Sequence, residues 1–318
     1  MTISAKYRTL IILALIIALA PLFFPSAYCF RVGSTLFVNA IAVMGIVILT
    51  GYAGQISLGH AGFAGIGGYT CALAPVYWGV PPALAIVLGM FISGVLAWFV
   101  GRPILRLKGY YLGVATLGFG ILIAMTLNNE RHLTKGPDGI NVPDLGLRGV
   151  LKDWGLNLSN GEFWYAATGI TLLIGAWLAQ NIRHSPTGRA LRAVHGSEVA
   201  ASTVGVDIAS AKLRAFVISA LYASVAGSLL ALQNRFITPD VASFMHSIEM
   251  VTMAVLGGVG SVAGAVVGAG ILTLLPQVLT VFAEYEAIIL GLAMMMVMIF
   301  LPEGLVPSVL RIFRGRKK

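Results

Sequence analysis

The sequence predicts an all-α, polytopic α-helical membrane protein, a bundle of about eight to ten transmembrane helices, some of them short or broken by glycine. Three observations carry that expectation. Apolar residues fill 58% of the 318 positions and charged residues only 10%, far from the usage of soluble domains. The apolar residues gather in runs of membrane length. The 21 Lys and Arg residues lie in short segments beside those runs, so the net charge of +9 reflects membrane topology and not nucleic-acid binding.

In chain order, spans are expected near 9–30, 34–50, 57–78, 82–100, 109–127, 163–182 and 211–233. Shorter apolar pieces come after them at 247–259, 262–283 and 286–302. The run at 10–24 has no convincing small-residue cleavage site after it, and it reads as a retained first span. No separate soluble domain is visible, so 1–318 reads as one transmembrane domain. Cys29 and Cys71 sit in apolar surroundings without a ligand cluster, which indicates neither a disulfide framework nor a metal site.

Orientation comes from the basic residues. Lys6 and Arg8, the group Arg102, Arg106 and Lys108, the stretch 183–214 and the tail from Arg311 onward share one side by parity, and that side is expected to be the cytoplasm, with both termini on it. Glu130, Asp138, Asp144, Asp153, Glu162, Asp240, Glu284 and Glu286 fall opposite, in part on a periplasmic loop at about 128–162. An even number of crossings fits: ten, or eight with one re-entrant hairpin. The piece 247–259 spans only about 20 Å as helix, too little for a hydrocarbon core of about 30 Å.

The loop at about 183–214 carries its own helix punctuation. Ser185 can cap a helix with Pro186 at its first position, Gly196 ends it, Ser197 starts another, Gly205 stops that one and Asp207 caps the next span. Two small helices displaying Arg189, Arg192, His195 and Glu198 suggest a docking surface; a solvated connection held inside by charge is the plainer alternative.

Two Gly-rich segments, 51–69 and 257–270, each come after an apolar piece and hint at a tandem repeat. Gly260, Gly264 and Gly268, and likewise Gly109 and Gly113, are spaced by four, so close backbone approach is expected on those faces. Broken backbone beside Gln55, Ser57 and His60, and again at Gly257 and Gly258, is expected either to border a translocation path or simply to pack. His60 has the alternative of a hydrogen-bonded core histidine. Glu249 is either a gating carboxylate or a first-turn partner of a helix capped by Ser247. The stretch 133–141 has Pro137, Asp138 and Gly139 in turn order.

No phosphate-binding loop, zincin motif, nucleophile elbow or paired Cys ligands occur, which gives a membrane enzyme little support. The charges sit at span edges and in loops, unlike those of an ion-coupled carrier. A carrier driven from outside the chain fits better.

Several stretches in order bear a family resemblance: GYAGQISLGHAGFAGIGGYT, LRLKGYYLGVATLGFG, LTKGPDGI, GRALRAVHGSEVAASTVGV with AKLRAFVISA, SIEMVTMAVLGGVGS and FLPEGLV. Over nearly its whole length the chain resembles the LivM-type permease subunits of ATP-binding-cassette importers for branched-chain amino acids. The resemblance implies an inner-membrane protein with no ATPase of its own, paired with a second, LivH-like permease. Two cytoplasmic ATPases that use ATP and Mg, and a periplasmic amino-acid-binding protein, complete the implied assembly; no cofactor would be bound by this chain itself. It also implies that Glu198, Ala200, Ala201 and Gly205 form the ATPase-docking pattern, with Val199 where Ala is commoner. Related permeases handle aliphatic amino acids, urea and short amides, or aromatic acids. Leu, Ile and Val are the default expectation.

Overall fold

Nearly every apolar run becomes a helix whose ends are set by the residues beside it, in a computed structural model that describes residues 3–147, 149, 152, 155, 157–278, 291–292, 295–296, 299–301 and 304–313. The chain opens with α1 (Ile3–Leu19) and a 3-10 turn (Ala20–Phe23), then α2 (Ala27–Ile46), which continues through a wider π turn over Val47–Tyr52. Next come α3 (His60–Trp78), α4 (Pro82–Ile104), α5 (Tyr110–Asn129) and the single turn α6 (Arg131–Thr134), then α7 (Asn160–His184). α8 (Pro186–Gly196) and α9 (Glu198–Thr203) are surface helices. α10 (Ile208–Asn234), α11 (Phe244–Gly257), α12 (Val262–Val278) and α13 (Leu305–Phe313) complete the described elements. Two short strands, β1 (Ile140–Asn141) and β2 (Phe236–Ile237), pair antiparallel.

Local signals account for many of these boundaries. Ser159 and Glu162 form a reciprocal capping box that starts α7. Asp207 accepts from the Ser210 N–H to start α10, and Gly79 closes α3 in the left-handed region. Among the described residues five helices are long and apolar enough to cross a membrane: Ala27–Tyr52, Pro82–Ile104, Tyr110–Asn129, Asn160–His184 and Ile208–Asn234. α3 also has 19 residues, most of them buried inside the bundle, so its glycines and polar groups meet protein instead of lipid.

The bundle has two chemically distinct ends. At one, β1 pairs with β2 and Arg235 bridges Asp144 at 2.8 Å, which joins the long loop after α5 to the segment between α10 and α11. At the other, Glu198 reaches Lys212 at 2.6 Å and Lys108 at 3.8 Å, joining the loop after α4 to the α8–α9 stretch. The charge-based grouping of these loops is thus realised by direct contact. Helices alternate in direction between the ends, and Gly304, beside Gly258, brings the chain back to the basic end before α13.

Several expected boundaries move. The first expected span, 9–30, is interrupted, because Pro21 and Pro25 supply no N–H to an α ladder; α1 gives way to a 3-10 turn and α2 begins after Ser26. Arg31 therefore lies inside α2. The expected span 57–78 begins at His60, after a non-helical stretch at 54–59. The expected piece 247–259 is α11, and its cap is Ser243, whose hydroxyl accepts from the His246 N–H at 3.2 Å. Ser247 caps nothing; its hydroxyl accepts from the Ala61 N–H at 3.1 Å. The expected piece 262–283 is α12 as far as Val278, and its remainder, with most of the expected piece 286–302, lies outside the described residues.

Glycine contacts sort by neighbour and not by spacing. Gly67 and Gly227 bring α3 and α10 together: a Cβ at Gly227 would stand 1.9 Å from the Ala64 carbonyl oxygen, and one at Gly67 2.1 Å from that of Ser224. Gly264 and Gly268 do approach α11 closely, but Gly260, Gly109 and Gly113 have nothing within 4 Å. The expected close approach along Gly109 and Gly113 is not formed. The contrast is testable: Gly227→Ala should lower stability by about 1–3 kcal/mol through overpacking, whereas Gly113→Ala should be neutral or gain up to about 1 kcal/mol from helix propensity. Thermal unfolding of the two variants in detergent checks this, and equal effects would contradict the packing described.

Candidate functional site

Two regions at opposite ends of the bundle hold the polar chemistry. At the end with the short sheet, α2 carries Arg31, Thr35 and Asn39 at i, i+4 and i+8, one face of a helix. α12 answers with Thr273 and Gln277 at i and i+4. The Asn39 amide donates to Thr273 Oγ1 at 3.0 Å, and the Tyr28 hydroxyl donates to Gln277. A cleft of about 240 Å³ opens between these stripes. A second, of about 340 Å³, lies on the other side of Arg31, against Asn234, Phe236 and Thr238. Gln233 donates to Ser34 Oγ at 3.0 Å beside this ladder. Its own Oε1 is buried without a partner among the described residues, an uncommon condition for a buried acceptor. Farther along α2, about 12 Å from Arg31 along the helix, Asn39 and His246 line a cavity of about 10 Å³. The polar file thus narrows towards the bundle centre.

Near the basic end, two helix breaks meet. The first separates α2 from α3 at 54–59; the second separates α11 from α12 at 258–261. A Cβ at Gly51 would lie 1.8 Å from the Val259 carbonyl oxygen, and one at Gly257 1.8 Å from that of Gly264. Gly258 has φ +109°, and Gly304 packs on its Cα. Backbone touches backbone at each of these points, and only glycine permits it.

Breaks at this depth need internal hydrogen bonds, and the first break has them. Thr50 Oγ1 donates to the Gln55 carbonyl at 3.0 Å, Gln55 Nε2 donates to the Ala53 carbonyl at 3.0 Å, and the Leu58 N–H donates to Thr116 Oγ1 at 3.1 Å. His60 is 1% exposed. Its Nδ1 lies 2.9 Å from Ser57 Oγ and its Nε2 is hydrogen-bonded to Ser219 of α10. Phe63 and Phe216 stand edge-on to the ring. Ser57, His60 and Ser219 thus form one buried chain that fastens the first break to α10, the Leu58–Thr116 bond fastens it to α5, and Gln55 is hydrogen-bonded within the break itself. Gly257 and Gly258 lie in the neighbouring break. Glu249 is separate: it stands in the second turn of α11, 53% exposed, with its carboxylate 3.2 Å from His246 Nδ1.

The surface helices lie just outside the first break. Ser185 caps α8, Ser197 caps α9, and Gly205 has φ +81°, as the sequence punctuation requires. Leu191, Val194 and Ala201 are buried beneath them. Arg192 donates to the Arg183 carbonyl at 2.6 Å and Arg189 to the His184 carbonyl at 3.3 Å, which places two cations on the open carbonyls at the end of α7. Glu198 does not stand free for docking, because Lys212, only 3% exposed, holds it from within the chain. The surface that α9 and the turn after it display is apolar: Val199 is 75% and Val204 74% exposed, with Ala200 beside them. His195, itself exposed, lies against the break, its Nδ1 3.0 Å from where a Cβ on Gly54 would stand. Surface helix and break are therefore in contact.

Arg31, Thr35, Asn39, Thr273 and Gln277 belong to none of the site residues expected from the sequence. The spacing of the first three was a usable signal, hidden because the expected spans left Arg31 in a connection.

Comparison with known proteins gives a consistent result. The family model described as "Branched-chain amino acid transport system / permease component" matches residues 28–300. The chain is 30% identical to the high-affinity branched-chain amino acid transport system permease protein LivM of Salmonella typhimurium, over 96% of this chain and 76% of that protein. It is 29% identical to LivM of Escherichia coli over the same shares, and 26% identical to LivH of Salmonella typhimurium over 84% of this chain and 90% of that protein. No solved structure gives a significant match.

The Glu198–Lys212 pair yields a direct test. Glu198→Gln strands a buried ammonium and should lower the stability of the purified chain by about 1–3 kcal/mol. Adding Lys212→Met should recover most of that loss, since neither charge then remains unpaired. Losses that simply add in the double variant, measured by thermal unfolding, would show that the two side chains do not interact.

Proposed function

This chain belongs to the family of permease components of branched-chain amino acid transport systems, and from that premise we propose how its two polar regions divide the work of import. The family match across residues 28–300 is the observation that carries the reading. The chain is a multi-pass membrane permease, and its similarity to LivM and LivH alike supports a pair of related permeases. Leu, Ile and Val are the substrates that reading names; urea, short amides and aromatic acids find no support among these relatives.

In the finer reading, the basic end faces the cytoplasm, in keeping with the distribution of Lys and Arg. There α8 and α9 meet an ATPase that uses ATP and Mg, none of it bound by this chain. The apolar tip formed by Val199, Ala200 and Val204, with Arg189 and Arg192 at its side, offers the contact. The cleft around Arg31 faces the periplasm and receives the amino acid from a binding protein. Arg31 offers a cation to the α-carboxylate, and the buried Gln233 acceptor suits a donor such as the ammonium group. Asn39 and Thr273 mark the point where the polar file narrows, and opening there requires α2 and α12 to separate. Alternating access results if movement of α8 and α9 reaches α2 through the contact of His195 with Gly54.

Uptake by proteoliposomes holding the complete assembly tests this. Labelled leucine should accumulate only with ATP on the side of the basic loops. An ion gradient driving uptake by this chain alone would contradict the proposal. Arg31→Gln should lower uptake at limiting substrate by about tenfold or more, the loss of one charge-assisted contact. ATPase subunits should still co-purify with that variant; unchanged uptake would remove Arg31 from the path.

A further inference from the structure

A groove of about 590 Å³ runs along the seam of α4 and α10 on the outer flank of the bundle. Its walls are apolar, with Phe91, Val95 and Trp98 from α4 facing Val217 and Leu221 from α10. The groove spans about twelve residues of α4, from Val87 to Phe99, or roughly 18 Å. An extended alkyl chain fits along it.

Each wall ends in a cation. On α4 the stripe Phe91, Val95, Trp98 continues at the same spacing to Arg102, whose guanidinium stacks 3.6 Å from the centre of the Trp98 ring. On α10 the stripe Leu221, Val217 continues to Arg214, an exposed residue one turn nearer the basic end. Among the described residues, no ion pair involves Arg102 or Arg214; the acidic group of this region, Glu198, is occupied by Lys212 and Lys108. An apolar furrow thus leads into two guanidinium groups at the end where lipid headgroups meet the protein.

We infer that this groove is a binding site for an anionic phospholipid, one acyl chain lying along the furrow between Phe91 and Trp98 and the headgroup phosphate held by Arg102 and Arg214. Such a site depends only on the bundle lying in a bilayer, not on the molecule the permease carries.

Lipid retention by the full chain tests it. The protein is equilibrated in mixed micelles of phosphatidylglycerol and phosphatidylethanolamine in equal amounts, and bound lipid is read by native mass spectrometry. Phosphatidylglycerol should be retained at least fivefold over phosphatidylethanolamine. Arg102→Gln with Arg214→Gln should abolish that preference, whereas Arg189→Gln with Arg192→Gln, an equal loss of charge elsewhere on the basic end, should leave it intact. Val217→Phe, which fills the furrow without touching charge, should also release the lipid, and excess inorganic phosphate should not displace it. Equal retention of the two lipids, a preference that survives loss of Arg102 and Arg214, or displacement by inorganic phosphate would each overturn the inference. So would a cross-link from a cysteine at Val95 to the second permease in the intact assembly, because a protein would then cover the furrow.

Discussion

The contact of Gly51 with the Val259 carbonyl, backbone against backbone, is the constraint on which the rest of the bundle depends. Two helices stop within the apolar depth of the protein, and their freed polar groups have no water to turn to. The bundle answers by sending side chains to the breaks: Thr116 from α5, Ser219 from α10 and Ser247 from α11 each satisfy a group in the first break or the opening turn of α3. Those hydrogen bonds require that α5, α10 and α11 pack around α3, which is the arrangement observed. A bulkier residue at Gly51 would separate the two breaks and misplace these partners together.

The same constraint links the two ends. α2 and its π turn form one apolar helix of 26 residues, Ala27–Tyr52. At one end of it Arg31 and Thr35 line the polar cleft, with Asn39 one turn farther on. At the other, Gly51 abuts the second break and Gly54, just past the helix, abuts His195 of the surface helix α8. A packed helix moves as a body, so a displacement imposed at Gly54 has few outlets before it reaches Asn39. His60, joined to Ser57 in the break and to Ser219 in α10, ties this lever to the bundle core.

The features legible in the sequence were local ones. The caps at Ser185, Ser197 and Asp207 and the stop at Gly205 stand as expected, because a cap is decided by residues within one turn. The all-α class and the grouping of charged loops came from hydropathy and Lys/Arg placement. The features that escaped depended on partners distant in the chain. Ser247 resembles a cap until α3 supplies the Ala61 N–H and Ser243 takes the capping role. Gly109 and Gly113 match the spacing of close packing, yet a Cβ at either would meet nothing within 4 Å. The partner that Glu198 finds within the chain is Lys212, fourteen residues on and across a turn, so the charge read as a docking feature also holds the fold. Arg31 escaped because an arginine interrupts hydropathy without interrupting a helix.

The claim that α2 carries motion from the basic surface to the outer cleft is tested most directly by a distance measurement. Spin labels at Val32→Cys and Thr238→Cys, one on each side of Arg31, report the width of the cleft by pulsed electron resonance in the complete assembly. ATP trapped on the partner subunits should shift that distance. Gly54→Ala, which places a side chain at φ +67° against His195, should abolish the shift while the ATPase subunits remain bound. A full ATP-dependent shift in the Gly54→Ala assembly would contradict transmission through α2.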